Sequence, residues 1–314
     1  MATTTSITTT YSGEKAAGYI SAALTSGKTL NDGSITIKPN VKYKEVLKTL
    51  STDDVVKDAT CDFDPTSTLT LGEQILEPKE LQVNLALCKA DFRSDWEAVQ
   101  MGFSAFDKLP GSLAEYILAY VAGKIAESVE NNIWNGDDSA ASGNNLFEGF
   151  EQRLSSSALS GVGSTTISAS NVVTFLGKVV DNIPSAVYGK DDVTIYVPNN
   201  VYQSYVRSLG GFSSSSAPTD GVDSQSSLWF NFQRGLTFEG MKIQRCPGMS
   251  SNRAIVGQAS NLYFGTGLLS DHNEVKLLDM ADLDGSQNVR VIARFTAGTQ
   301  VGIAADAKHF TPGS

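Results

Sequence analysis

Between Leu81 and Leu87 apolar and polar residues alternate one by one. Leu81, Val83, Leu85 and Leu87 share one face, and Gln82, Asn84, Ala86 and Cys88 share the other. A period of two is the signature of a strand, because successive side chains point to opposite sides. Leu69 and Leu71 alternate with threonine in the same way, and Asp64-Pro65-Thr66-Ser67 ahead of them reads as a turn. The stretch from Val55 to Phe92 is therefore predicted to be extended, as a long two-stranded hairpin. Two strands alone leave an apolar face uncovered in water. Such a hairpin needs a surface to lie on, either its own body or another subunit.

The period then changes to that of a helix. Leu113, Ile117, Val121, Ile125, Val129 and Ile133 recur every fourth residue, and Ser112 with Glu115 forms a capping box at the start. Asn135-Gly136 supplies a stop. The predicted helix, 113–134, is about 33 Å long at about 1.5 Å per residue. A spacing of four drifts by about 40° per step around a helix, so the apolar stripe winds. That suits an element crossing a sheet better than a coiled-coil seam.

A shorter amphipathic helix is expected around Val172–Ile183, ended by Pro184. A buried strand follows at 193–197, and Pro198-Asn199-Asn200 opens another helix. The Ser/Gly-rich stretches 155–170 and 210–227 read as loops. Strands are expected at 236–245, 253–257, 261–265, 274–279, 288–297 and 299–305. A helical patch is expected from Glu14 to Leu24. No internal repeat is present. The fold class is mixed α+β with two lobes.

Composition narrows the function. The 314 residues leave room for about two domains. Lys and Arg number 24 against 34 Asp and Glu, a net charge of −10. That argues against a chain whose task is gripping nucleic acid, which needs clustered cations. No apolar run reaches the roughly 18 residues of a membrane span, and the start, MATTTSITTTYSG, lacks a secretory pattern. Cys61, Cys88 and Cys246 lie far apart, so neither a disulfide framework nor a zinc ribbon is indicated, and they read as three ordinary reduced thiols. Charge is unevenly spread. Residues 1–52 hold six Lys against Glu14, Asp32 and Glu45, whereas Asp53, Asp54, Asp58, Asp62 and Asp64 face only Lys57. A basic arm followed by an acidic projection can pair between subunits; it also fits two solvated surfaces, since exposed ion pairs are worth only ~0–1 kcal/mol.

Motifs for chemistry are weak. Ser26-Gly27-Lys28-Thr29 resembles the end of a phosphate loop, but Ala22 stands where its first glycine belongs. Asp282-Leu283-Asp284-Gly285 would place Met280 and Val291 at the ends of a calcium loop, so it reads as a turn. Gly265-Thr266-Gly267 lacks the third glycine of a dinucleotide fingerprint. His272 and His309, the two histidines, have no ligand spacing and are expected on the surface or in turns. The pairs Asp53-Asp54, Asp137-Asp138 and Asp191-Asp192 read as solvated turns, and no GxSxG elbow occurs. No cofactor, metal or catalytic residue is expected.

The order of elements carries more information. It runs from an N-terminal arm through a long hairpin and a long capped helix to a mixed domain, with a β-hairpin returning at the end. This resembles the major capsid proteins of tailed bacteriophages, whose Hong Kong-type shell fold is shared with encapsulins and herpesvirus floor domains. EPKELQVNLALCKADFRSD (77–95) looks like the strand leaving that family's extended loop, and LAEYILAYVAGKIAESVENNIWNGD (113–137) like its spine helix. NNLFEGF (144–150) looks like the segment that follows, and VTIYVPNNVYQSYVRSL (193–209) like the strand, turn and helix of the axial domain. LTFEGMKIQRCPGM and RAIVGQASNLYFGTG (236–267) look like a strand pair around a bend at Gly240-Met241-Lys242-Ile243. VRVIARFTAGTQVGIAADAKHF (289–310) looks like a closing hairpin of the peripheral domain.

The resemblance implies an arm over 1–52, an extended loop over 53–92 and a peripheral domain over 93–152 carrying the spine helix 113–134. It implies an axial domain over 153–285 and a return to the peripheral domain over 286–314. It implies an assembly protein without enzymatic activity. Pentamers and hexamers of the chain would tile an icosahedral shell around double-stranded DNA, in a virion assembled in the host cytoplasm. Expected partners are further copies of the chain, a separate scaffolding protein, a portal and decoration proteins, with no sequence-specific DNA contact and no membrane. Expected inter-subunit contacts are Lys42, Lys44, Lys48, Asp53, Asp54, Asp58, Asp62, Phe63, Asp64, Leu69 and Leu71. Lys57 and Lys79 lie in the loop region without an assignable cross-linking acceptor, so non-covalent stabilisation is expected. The competing classes are an encapsulin-type cargo compartment, a β-rich surface adhesin, and a hydrolase with unrecognised carboxylates. The long helix opposes the adhesin.

Overall fold

The computed structural model describes residues 28–41, 43–52, 55–59, 61, 65–88, 111–163, 166–209, 236–267, 276–280 and 285–312. Among them the chain forms two compact units. One takes 80–88, 111–128, 276–280 and 285–295, and the other takes the remaining described residues. The expected helix at Glu14–Leu24 and the loop over 210–227 lie outside the described residues.

The larger unit is organised around a six-stranded sheet. Its central strand, β6 (Val193–Val197), is buried at every position. A continuous run of this kind is what a strand covered on both faces requires. β6 pairs antiparallel with β9 (Ala254–Gln258) and parallel with β8 (Met241–Arg245). β7 (Thr237–Phe238) closes a tight hairpin onto β8 through Glu239 and Gly240, at φ +48° and +83°. Two left-handed residues in succession match the right-handed twist of the strands they join, and this is the bend read at Gly240. Two helices of the unit, Val172–Asp181 and Asn199–Leu209, contribute Val172, Phe175, Leu176, Val179, Val201 and Tyr205 to a core shared with Ile195, Ile243, Val256 and Phe310.

Three expectations fail here. The stretch 155–170 was expected to be a loop, yet it contains β5 (Ala158–Gly163), parallel to β13 (Lys308–Pro312). Tertiary pairing overrides the weak strand preference of serine and glycine. Residues 289–310 do not form a closing hairpin. β12 is one strand, Asn288–Val301, and β13 lies between β5 and β9 in the six-stranded sheet. Gly298, where the break was expected, is not a turn. A Cβ there would stand 2.9 Å from the Cα of Pro78, so the glycine admits a passing chain.

The last four residues of β12 pair with β10 (Leu262–Gly265), which pairs in parallel with β1 (Thr36–Lys38). In the smaller unit, earlier residues of β12 pair antiparallel with β11 (Lys276–Asp279). β4 (Lys79–Cys88) also pairs with β12. The long helix runs from Gly111 to Asn135, and Val121, Ile125, Val129 and Ile133 are buried as the four-residue spacing predicts. The side chains of 111–119, including the expected capping box of Ser112 and Glu115, lie outside the described ones. The helix ends in close backbone packing. A Cβ on Gly136 would meet the carbonyl of Phe147 at 2.1 Å, and Gly149 N–H donates to the Gly136 carbonyl at 2.8 Å.

Candidate functional site

The hairpin differs from its predicted pairing. β3 (Leu69–Leu76) does not pair with 81–87. Its partner is β2 (Glu45–Thr52), from a segment read as arm, and β4 pairs elsewhere. Pro78 separates β3 from β4, since it offers no N–H to continue a ladder. The strand in 45–52 was missed because Lys48 and Thr49 interrupt its apolar alternation.

Register sorts the hairpin into two unlike faces. Leu47 and Leu76 point one way, are buried, and pack with Val41 against Tyr263, rooting the hairpin in its own unit. Gln300 Nε2 donates to the carbonyl of Ile75 at 2.8 Å and fixes the same root. On the opposite face Val46 stands across from Ile75, Lys48 from Glu73, Leu50 from Leu71 and Thr52 from Leu69. That face is an apolar ribbon crossed by one pair of opposite charges. Leu50 is 58% exposed, Leu69 63% and Leu71 72%. Among the described residues the two strands form a sheet of their own, so the outer edges of both are unpaired. Native proteins normally blunt or cover such edges. Exposed apolar patches of this kind, open along both edges among the described residues, are where proteins commonly take a partner.

The expected contact residues divide as follows. Leu69 and Leu71 lie on the ribbon, and Lys48 crosses it. Lys44 pairs with Glu77 at 3.0 Å within its own chain. Asp58 is exposed beyond β2. Lys42, Asp53, Asp54, Asp62, Phe63 and Asp64 lie outside the described residues. Val46, Leu50 and Ile75 were not anticipated; the signal was Val46 and Leu50 standing four apart on a strand, on the same side as Leu69 and Leu71. Lys79 pairs with Asp138 at 2.6 Å.

Among the described residues no comparable cluster assembles for chemistry. Among the described residues no group of three or more His, Cys, Asp or Glu is placed to hold a metal ion. His309 is not on the surface: it is buried in β13 with neither ring nitrogen hydrogen-bonded. Burial, with Arg253 nearby, lowers its pKa to about 4. It lines a polar pocket of about 320 Å³ with Asp137, Glu151 and Arg253. The charges there are already engaged: Glu151 accepts from Arg253 at 2.6 Å and from Ser250 N–H at 2.7 Å, and Asp137 from Ser139. Asp192 accepts from Ser260 and Gln258, a fastened turn. Thr29, in the segment that resembled a phosphate loop, is bonded to Glu130. His272, Ser26, Gly27, Asp282 and Asp284 lie outside the described residues. Cys246 is buried, Cys88 half-buried and Cys61 exposed, all as free thiols.

The architecture is thus a mixed α+β fold with a long helix, a separate two-stranded hairpin and a six-stranded sheet. It is the fold of phage capsid subunits. The capsid of a native GTA particle superposes with a TM-score of 0.62 at 9% identity, covering 99% of this chain and 96% of the other. A chain of Mycobacterium phage Adephagia gives 0.56 at 19% identity over 98% and 95%. The capsid of Myoviridae phage XM1 gives 0.56 at 13% identity over 92% of each chain. No family model matches the sequence, and no curated protein matches it. No described helix is long and apolar enough to cross a membrane.

Proposed function

We propose that this chain is the major capsid protein of a tailed double-stranded DNA phage. It has no enzymatic role and assembles as pentamers and hexamers into an icosahedral shell that encloses the genome. The observation that carries the reading is the apolar ribbon of β2 and β3, uncovered in a subunit whose fold is that of capsid structures over nearly its whole length. A neighbouring copy covers it. Each large apolar side chain contributes about 1.5–3 kcal/mol when fully buried, and less from a half-exposed start. Summed around a ring, small contributions hold a shell while leaving single contacts reversible.

In this reading the arm ends before β2, which joins the extended loop read over 53–92 through its pairing with β3; β13 goes with the axial domain read over 153–285, and 93–152 with the rest of 286–314 belongs to the peripheral domain. Lys42, Lys44, Lys48, the acidic run from Asp53 to Asp64, Phe63, Leu69 and Leu71 contact neighbours. The net charge of −10 suits a wall that confines DNA without tethering it. A separate scaffolding protein, a portal and decoration proteins complete the virion, assembled in the host cytoplasm. Negative-stain microscopy of the purified chain tests this. Closed shells of uniform diameter are expected, with nuclease-protected DNA in particles from infected cells. A compact monomer at high concentration overturns the assignment, and DNA-free native shells point to a cargo compartment.

A further inference from the structure

Among the described residues three buried side-chain nitrogens lack a hydrogen bond, and two of them are the ring nitrogens of His309. The side chain is 2% exposed. Its direction follows from β13: Phe310 enters the core of the larger unit, so His309 beside it takes the opposite face. There it lines the pocket of about 320 Å³ together with Asn135, Asp137, Glu151 and Arg253. That volume lies at the small end of ligand pockets, about 300–1,000 Å³, and suits a small group.

The charge around the pocket is negative on balance. Arg253 donates to Glu151 at 2.6 Å, and those two charges cancel. Asp137 is held by Ser139, whose N–H and hydroxyl both donate to Oδ1, and by no cation among the described residues. The pocket also sits at the C-terminal end of the 25-residue helix, where Asn135 and Gly136 line it and the last turn carries no basic residue. The carbonyl end of a helix carries about half a negative charge. His309 itself is neutral, because burial and the nearby guanidinium oppose its protonation. A neutral imidazole presents one lone pair and one N–H.

This balance selects the ligand. An anion would meet Asp137 and the helix end. A divalent metal wants several charged or imidazole ligands, and no three His, Cys, Asp or Glu are placed for one among the described residues. A primary ammonium brings one positive charge and three N–H donors. The acceptors it needs line the pocket: the imidazole lone pair, the Asp137 carboxylate and the hydroxyls of Ser155 and Thr311.

We propose that this pocket binds a primary ammonium group, seated on the unpaired imidazole of His309 with Asp137 and the end of the long helix as its counter-charge. The site goes beyond the capsid reading and does not rest on it. Arg253 serves it twice, by cancelling Glu151 and by keeping the imidazole lone pair free of a proton. The ammonium is that of a free amine or of a lysine on a second copy of the chain.

The test follows the His309 ring nitrogens by NMR in the full chain carrying isotope-labelled histidine, near neutral pH, with His309→Phe identifying its signals. Methylammonium chloride is the probe. Tetramethylammonium chloride, of the same charge and without an N–H, is the control. Methylammonium is expected to shift one His309 nitrogen saturably in unassembled subunits, and tetramethylammonium to leave it unmoved. Asp137→Asn is expected to raise the half-saturation concentration roughly tenfold, the loss of one charged partner. No shift in unassembled subunits, or the same shift with both salts, overturns the site. If Asp137→Asn does not fold, the comparison of the two salts on the wild type decides alone. Sedimented particles separate the two sources. A signal already shifted with no amine added assigns the ammonium to a lysine of a second copy, and one that moves only with methylammonium assigns it to a free amine.

Discussion

β6 and the β2–β3 hairpin are both apolar, and they use that property in opposite ways. β6 buries every side chain against other elements of its own unit. The hairpin hides Leu47 and Leu76 at its root and turns Val46, Leu50, Leu69, Leu71 and Ile75 outward. The first pattern serves the fold of a subunit. The second makes sense only where something else supplies the cover. A chain can thus be stable as a subunit and incomplete as an object, with the two requirements written on different strands.

Substitutions that separate the two regions should follow that division. Ile195→Asp puts a charge at a fully buried position of β6, and the subunit is expected not to fold, visible as loss of a cooperative denaturation transition. Leu50→Asp with Leu71→Asp is expected to leave that transition in place and abolish particle assembly on sedimentation. If the double variant unfolds, the ribbon belongs to the subunit and the comparison breaks. Leu76→Ala, at the root, should cost about 2–5 kcal/mol in urea unfolding, because it empties a buried site beside Val41 and Leu47.

pH sharpens the contrast inside the six-stranded sheet. His309 is neutral and buried, with its pKa lowered to about 4 against 6.5. The unfolded chain takes up the proton first. The stability His309 supports is complete above about pH 6.5 and is lost as pH falls to about 4, by roughly 3 kcal/mol. Urea midpoints at the two ends should differ accordingly in the wild type and much less in His309→Phe. At the small end, Lys44→Ala removes a surface pair with Glu77 and should leave the urea midpoint unchanged. A clear shift would show that the hairpin root depends on charge.

Much of this was legible in the chain, for identifiable reasons. The long helix announced itself because Val121, Ile125, Val129 and Ile133 all face inward. VTIYV announced β6 because an unbroken run of β-branched and aromatic residues suits a fully buried strand. The hairpin's apolar face was half legible: Leu69 and Leu71 alternate cleanly, whereas Lys48 splits Val46 from Leu50 and concealed β2. Pairing was the weakest part, since alternation says that a strand exists and nothing about its neighbour. β3 therefore found β2 in place of 81–87, and β13 joined the six-stranded sheet. The buried roles of Glu130 and His309 left no local signal, because both depend on groups brought in from distant parts of the chain.

The central claim is that a second copy covers the ribbon, and hydroxyl-radical footprinting tests it most directly. Subunits held dilute should be oxidised readily at Leu50, Leu69, Leu71 and Ile75, and assembled particles should be protected there several-fold while exposed Tyr188 on the larger unit serves as the internal reference. Equal reactivity of the ribbon in subunits and in particles would contradict the account.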